Sequence, residues 1–319
     1  MTTRSNLGVD RILSLYSLLL KNQADMCVGD KVLPTATVNH PRGKYYSVTP
    51  GFGYASPGYG LLRNSGAAFS RMTTDVTQVD SFDLKEYGIE APVDDIDREF
   101  AGSDALDLRQ AATQIAWNSA MIERERDFAS LLFSTGTFTD YNAALSGSDQ
   151  WNHGDANPIN QADDAAESIR QNTGQPRSEI SLLVGAGAWQ ALRKCQGLTD
   201  FYKYTQAGAT HLTEDVVAKA LGIKNINVGN AVGNTATEPG SSMADIWDPD
   251  MALFYVSVPN PKPLAPHGLG ATFTMAGRQA GRVERYREEP REEIVLVSWL
   301  EDRVVTTPSS GFLFTDVLA

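Results

Sequence analysis

One long helical pattern, at residues 104–134, constrains this chain more than any other feature. Apolar residues recur there at spacings of three, four and seven, in one stripe from Leu108 to Phe133 and a second from Trp117 to Leu132. The segment Glu123–Asp127 is its most polar part. A helix of this length extends about 45 Å at 1.5 Å per residue. The sequence therefore predicts a helix several times longer than the mean of about 11–12 residues.

The two segments that precede this helix carry opposite net charges. Residues 41–74 hold six glycines, three prolines, four tyrosines and two phenylalanines, and their charge is +4 because four bases meet no acid. A loop this long is usually functional or disordered, and its two ends are typical of hairpin strands. Residues 80–104 hold nine acids and two bases, a charge of −7. We call residues 41–74 the cationic loop and residues 80–104 the acidic strip.

Helix and strand patterns alternate over residues 155–275 and indicate a compact α/β unit. Asn157-Pro158 begins one helix and Gly174 ends it. The run Ile180–Val184 predicts a buried strand followed directly by a helix. After residue 276 the pattern returns to β-strands, in which arginine and glutamate alternate.

Several function classes lack support in the residues. The net charge of −12 argues against a protein that grips nucleic acid, since phosphate binding needs a basic face. Two distant cysteines predict neither a disulfide framework nor a zinc ribbon. The apolar run at 12–20 is too short to span a bilayer and is followed by no signal-peptide cleavage site. The four histidines lack metal-site spacing, and the sequence contains neither a GxSxG nor a GxxxxGK(S/T) motif, so we predict no metal, cofactor or catalytic residue.

One glycine pair keeps an enzyme alternative open. Gly185 and Gly187 follow a predicted strand and precede a helix, as they do in dinucleotide-binding proteins. The third glycine of that motif is absent, because Gln190 stands in its place. A tight strand-to-helix turn is the preferred interpretation, and a soluble α/β enzyme is the less favoured one.

Five features in this order resemble a known family. They are the amino-terminal arm, the Gly/aromatic hairpin loop, "LKEYGIEAPVDD", the long helix, and "ISLLVGAGAWQALRKCQGLTDFYKY" with "LTEDVVAKALGIKNINVGNAV". With a strand pair near the carboxyl terminus, this order resembles the major capsid proteins of tailed bacteriophages with the Hong Kong 97 fold. The resemblance implies an α+β fold with an N-arm, an extended E-loop, a P-domain with a long spine helix, and an α/β A-domain.

The resemblance also implies a division of the chain. Its parts are an N-arm at 1–40, an E-loop at 41–80, a P-domain at 81–154 with its spine helix at 104–134, an A-domain at 155–275, and returning P-domain strands at 276–319. Lys44 is the only lysine of the loop, and we expect no covalent crosslink through it.

The implied function is mechanical. Copies of the chain are expected to form hexamers and pentamers of an icosahedral shell that encloses double-stranded DNA without sequence-specific binding. Expected partners are a separate scaffolding protein, a portal and possible decoration proteins, with no membrane. The expected locations are the virion and, during assembly, the host cytoplasm. An encapsulin-like nanocompartment, which holds enzyme cargo rather than DNA, is the alternative of the same fold.

The charge asymmetry predicts contacts between subunits. We expect the cationic loop to lie across the acidic strip or the spine helix of a neighbouring copy, with arginine pairing to carboxylate. The residues predicted to make intersubunit contacts are Arg42, Lys44, Arg63, Arg71, Asp94, Asp95, Asp97, Glu99, Arg285, Arg287, Glu288 and Glu289.

Overall fold

The computed structural model describes residues 5–9, 27–47, 65, 66, 68, 78–96, 99, 105–203, 212–236, 242–261, 268–277, 282–287 and 292–319. Its helices are α1 (Gly29–Val32), α2 (Ala105–Leu132), α3 (Pro158–Thr173), α4 (Ala186–Lys194), α5 (Gln196–Lys203) and α6 (Glu214–Leu221). Its strands up to residue 200 are β1 (Ser5–Val9), β2 (Thr35–Val38), β3 (Arg42–Ser47), β4 (Gln78–Asp83), β5 (Lys85–Asp94), β6 (Asn142–Ala144) and β7 (Ile180–Gly185). The later strands are β8 (Ile226–Gly229), β9 (Val232–Asn234), β10 (Met243–Asp245), β11 (Ala252–Val256), β12 (Gly270–Met275), β13 (Arg282–Arg287), β14 (Glu292–Val305) and β15 (Gly311–Thr315).

Two sheets carry the mixed α+β architecture. One has the strand order β1-β13-β14-β12-β2, and β5 pairs with β14 along ten residues of that strand. The other has the order β6-β15-β11-β7-β8 and is covered on one face by α3, α4 and α6. Alternate residues of β7 point to the two faces, so Leu182 and Val184 join that helical core while Leu183 joins another.

The long helix α2 connects the cores of the two sheets. Its first half packs Trp117 and Met121 against Val295 and Val297 of β14. Its second half packs Phe128 and Leu132 in the core that also contains Leu183, on the opposite face of the second sheet from α3. The helix predicted at 104–134 is observed at 105–132. It ends two residues earlier than predicted, and residue 104 lies outside the described ranges.

The second predicted stripe of α2 is buried along its length, whereas the first is buried only at its end, at Ala129 and Phe133. Trp117 and Leu132 of the second stripe are buried. Ile115 of the first stripe has 65% of its surface exposed. Both stripes fit helical spacing, so periodicity alone could not distinguish the face that meets β5 and β14 from its neighbour.

Most local predictions hold. Asn157 accepts a hydrogen bond from the backbone N–H of Ile159 at the start of α3, and Gly174 ends that helix with φ of 70°. The strand at the start of the cationic loop, β3, pairs antiparallel with β4, which follows the end of the loop, as predicted. The helix predicted at 12–20 lies outside the described residues.

One strand lies just before the predicted domain boundary at residue 275, and another lies after it. The segment 270–275 is β12, which pairs with β14 and, in parallel, with β2 in the first sheet. The segment 311–315 is β15, which pairs with β11 and β6 in the second sheet. Strand β12 therefore lies in the first sheet with β14, and β15 lies in the second sheet with β7 and β11. Within the described ranges, no helix is both long and apolar enough to cross a membrane.

Candidate functional site

Two adjacent charged residues of α2, Arg124 and Glu125, lie inside the protein, with 6% and 2% of their surface exposed. Glu123 and Arg126, on either side of them, lie toward solvent and form an ion pair with each other. Successive residues of a helix are about 100° apart, so one charged run can place charges on both the buried and the solvent face. The segment Glu123–Asp127 is therefore only partly a solvated surface.

Glu125 binds the beginning of α1. Its Oε1 accepts hydrogen bonds from the backbone N–H groups of Val28 at 2.7 Å and Gly29 at 3.2 Å. The same oxygen accepts the indole N–H of Trp247 at 2.9 Å, while Oε2 lies 3.3 Å from the amide nitrogen of Gly29. The first backbone N–H groups of a helix have no partner within the helix, and here a carboxylate supplies one.

Arg124 binds the same short helix and a strand of the first sheet. Its two terminal nitrogens each lie 2.6 Å from a carboxylate oxygen of Asp30. Its Nε donates to both oxygens of Glu301 in β14, at 3.0 and 2.9 Å. This bidentate geometry uses the fixed fork of the guanidinium, which lysine cannot supply.

A second arginine extends the network along β14. Arg303 donates to Asp127 at 2.7 Å and to Glu301. The indole N–H of Trp299 also donates to Glu301, at 2.7 Å. The guanidinium carbons of Arg124 and Arg303 each lie 5.0 Å from the centre of the Phe128 ring, where a cation is attracted to the π-face. We call this set the charge cluster: Asp30, Arg124, Glu125, Asp127, Glu301 and Arg303.

Burial and charge shift several pKa values around the cluster. Desolvation raises the pKa of Glu125, and the hydrogen bonds from Val28, Trp247 and Gly29 offset part of that rise. Burial disfavours the charge of Arg124, but its bonds to Asp30 and its attraction to Glu301 raise its pKa above the usual value. Burial, followed by the negative charge of Glu125, raises the pKa of the Cys27 thiol to about 12. The Cys27 thiol is therefore protonated and weakly nucleophilic at neutral pH.

The charge cluster joins four segments that are distant along the chain. They are the segment at 28–30, the middle of α2, the second half of β14, and Trp247 between β10 and β11. Buried charges are costly to desolvate, and removing one partner leaves the others uncompensated. The arrangement therefore fixes these segments relative to one another.

Sequence reasoning did not identify the charge cluster, although a signal was present. Positions 124 and 125 continue the spacing from Trp117 and Met121 to Phe128, on the buried stripe of α2. The carboxylate partners of Arg124, Asp30 and Glu301, are 94 and 177 residues away from it in the sequence.

The base of the cationic loop contains a surface ion pair within the chain. Arg42 of β3 donates to Asp83 of β4 at 2.9 Å, and both side chains are exposed. Lys44 faces Ser81 across the same strand pair. Arg63 and Arg71 lie outside the described residues. The structure therefore gives Arg42 a partner on its own subunit, and the contacts expected between subunits stay a prediction.

The described acids near the end of β5 lie at the surface. Asp94 accepts the backbone N–H of Ile96 at 2.8 Å, and Ile96 itself has 57% of its surface exposed. Asp95 is half-buried and Glu99 is exposed, while Asp97 lies outside the described residues. This part of the acidic strip therefore combines exposed carboxylates with an exposed apolar side chain.

The predicted charged residues of the tail are described only in part. Arg285 and Arg287 lie on β13, opposite Val295 and Glu293 of β14. The backbone of Arg287 also faces Ser5 of β1. Glu288 and Glu289 lie outside the described residues.

The glycine turn of the enzyme alternative is filled by the chain itself. A Cβ on Gly185 would lie 2.1 Å from the carbonyl oxygen of Asp248, and one on Gly187 would lie 3.0 Å from Pro249. The backbone N–H of Ala188, in the first turn of α4, donates to the Pro249 carbonyl at 2.7 Å. A dinucleotide site needs this space and these N–H groups for its phosphates. The glycines here permit close packing of two backbone segments.

The acids near that turn bind backbone N–H groups. Asp248 accepts the N–H of Asp250 at 3.0 Å, and Asp250 accepts the N–H of Leu318. Across the part of the chain that the structure describes, no group of three or more His, Cys, Asp or Glu residues is arranged to hold a metal ion.

Comparisons with known proteins agree with this architecture. Residues 138–260 match a family model described as Phage major capsid protein E. The chain is 27% identical over 305 residues to a major capsid protein of Pseudomonas phage JBD67, with 92% of each chain covered.

Solved structures share the fold. A phage-related protein from Bordetella bronchiseptica RB50 superposes with a TM-score of 0.75 at 22% identity, and 98% of each chain is covered. The capsid of Cyanophage P-SCSP1u gives a TM-score of 0.55 at 12% identity, over 88% of this chain and 85% of that one. The chain therefore has the α+β fold of phage capsid proteins, and it resembles the major capsid proteins of tailed bacteriophages with the Hong Kong 97 fold.

Proposed function

We propose that this chain is the major capsid protein of a tailed phage, whose copies form an icosahedral shell around double-stranded DNA. The observation that carries the proposal is the similarity to a phage major capsid protein across 92% of both chains. The fold shared with a phage capsid structure supports it independently. The role is structural, and the filled Gly185–Gly187 turn agrees with that role.

The division into capsid domains is also a proposal. The strand pair β3–β4, whose strands are separated by residues 48–77 in the sequence, supports an E-loop at 41–80. The helix α2 supports a spine within a P-domain, and the second sheet with α3, α4 and α6 supports an A-domain. The strand pairing adds one amendment: β12 belongs with the P-domain sheet, and β15 belongs with the A-domain sheet.

Contacts between neighbouring copies follow from the charge asymmetry. We infer that the cationic loop of one subunit lies across the acidic strip of the next, with Arg63 and Arg71 as anchors. The exposed Asp94, Ile96 and Glu99 support a docking surface that is acidic and partly apolar. Each such contact needs to bury on the order of 1,000 Å² to be specific.

The charge reversal Arg71→Glu tests this contact. We expect it to reduce assembly while the subunit keeps its thermal transition, because it places a carboxylate against the acidic strip. The matched control is Lys219→Glu, at an exposed position of α6 outside both surfaces. Sedimentation at low and at raised salt measures the assembled fraction. Equal assembly of the two variants at both salt concentrations would contradict the proposed contact.

The remaining partners follow from the proposed function. Hexamers and pentamers of the same chain, a separate scaffolding protein, a portal and decoration proteins are its expected partners, in the virion and during assembly in the host cytoplasm. The net charge of −12 on each subunit supports a wall to which packaged DNA does not adhere.

The contents of particles test the function directly. The chain is produced together with the other head proteins of its phage, and large particles are isolated by sedimentation and treated with nuclease. We expect double-stranded DNA that is protected from the nuclease. Particles that hold a discrete enzyme and no DNA would instead identify a nanocompartment.

A further inference from the structure

We propose that the adjacent residues Arg124 and Glu125 act as an anchor that fixes where the amino-terminal 26 residues join the rest of the subunit. The anchored segment is 28–30. It follows Cys27 directly, and within the amino-terminal 26 residues the structure describes only β1. In a shell, every copy would then present its amino-terminal segment from the same point. This last step rests on the proposed function, and the anchor itself does not.

Both residues bind the same short segment, by different chemistry. Glu125 accepts the backbone N–H groups of Val28 and Gly29, and Arg124 forms two hydrogen bonds to the side chain of Asp30. A helix of four residues cannot stabilise itself, because nucleation of so short a helix is unfavourable. The position of α1 therefore depends on these contacts and on packing.

Packing places the backbone of α1 directly against α2. A Cβ on Gly29 would lie 2.2 Å from Cδ2 of Phe128, one helical turn after Arg124 on the same face of α2. Val28 and Val32 are buried in the same core as Phe128. Glycine at position 29 thus brings the backbone of α1 against the ring, within reach of the Glu125 carboxylate.

The anchor is also connected to the rest of the subunit. Glu125 Oε1, which holds α1, accepts the indole N–H of Trp247 as well, and Trp247 is fully buried beside the second sheet. Arg124 is bound to Glu301 of the first sheet. A displacement between the two sheets would therefore reach the amino-terminal segment through one dipeptide of α2.

Limited proteolysis measures the anchor directly. Lys31 is exposed but lies within α1, and trypsin cleaves there only when the segment opens. Glu125→Ala removes both carboxylate oxygens that accept hydrogen bonds from the backbone of Val28 and Gly29. We therefore expect cleavage after Lys31 to accelerate on the order of tenfold or more. Glu125→Gln retains the Oε1 acceptor and should remain within about threefold of the wild-type rate.

Two further variants make the test specific. Glu123→Ala removes an exposed carboxylate two residues before Glu125 and should leave cleavage after Lys31 unchanged. Asp30→Asn loses the charge that binds Arg124 at a partly exposed position, and should accelerate cleavage by about threefold or more. If Glu125→Ala does not fold, the cleavage rate of Asp30→Asn alone tests the anchor. If Asp30→Asn, or a folded Glu125→Ala, is cleaved after Lys31 no faster than Glu123→Ala, the proposed anchor is wrong.

Assembly is scored on the same proteins by electron microscopy. We expect fewer closed shells from Glu125→Ala than from Glu123→Ala, with thermal unfolding still cooperative. Equal shell yields together with accelerated cleavage would overturn the assembly role and keep the anchor. A wild-type chain that forms no shells under any condition would contradict the proposed function, while the cleavage rates would still test the anchor.

Discussion

Replacing Arg124 by methionine tests the energetic importance of the charge cluster. Methionine keeps much of the volume and the contact with Phe128 but removes all hydrogen bonds to Asp30 and Glu301. Glu301 is 3% exposed, so water cannot replace the lost guanidinium there. Removing one partner of a buried ion pair costs about 3–5 kcal/mol of unfolding free energy. With an unfolding entropy of roughly 2.1 cal/mol/K per residue, that loss lowers the melting temperature by about 4–8 °C.

The control for this variant is Arg126→Met, two residues along the same helix. Arg126 is partly exposed, pairs with Glu123 and donates to the exposed backbone carbonyl of Asn234 at 2.7 Å, where water can replace it, so its loss should change the unfolding free energy by only about 0–1 kcal/mol. Urea unfolding of the unassembled full chain, followed by circular dichroism, gives both values. Equal midpoints for Arg124→Met and Arg126→Met would refute the argument that burial makes the charge cluster important for stability.

Two further predictions follow from the packing and the pKa shifts. Gly185→Ala should lower the free energy of unfolding by about 1–3 kcal/mol, because the new Cβ overlaps the Asp248 carbonyl oxygen. In the control Gly154→Ala the new Cβ meets no atom within 4 Å, so the urea midpoint should change little. Equal shifts of the urea midpoint in the two variants would contradict the packing argument. Because burial raises the pKa of Glu125, the folded chain binds a proton at higher pH than the unfolded chain does, so stability from this group rises as pH falls. As the pH falls from neutral toward the ordinary glutamate pKa of about 4.3, wild type should gain stability relative to Glu125→Gln in urea unfolding, and a constant difference would contradict the shift.

Local signals in the sequence predict local structure in this protein. Asn157 and Gly174 bound α3 because a side-chain acceptor and a left-handed glycine satisfy the free groups at the two helix ends. Strands β3 and β4 pair on either side of the cationic loop because both carry strand-forming residues and most of the glycines and prolines of the loop lie between them.

Features that depend on distant partners were not predictable. Ile115 and Trp117 both fit helical spacing, and only the position of the first sheet decides which of them is buried. Likewise, β12 follows the α/β region in the chain but pairs in parallel with β2, more than 200 residues earlier. The helical spacing places Arg124 on the buried stripe, but nothing in that spacing indicates its partners Asp30 and Glu301.

Negative-stain electron microscopy of the purified full chain after size exclusion tests the central claim most directly. The account predicts closed shells, or rings of subunits, tens of nanometres across, because a major capsid protein assembles with copies of itself. A uniform monomer or dimer that stays unchanged at high protein concentration, in crowding salts and when produced together with the other head proteins of its phage would contradict it.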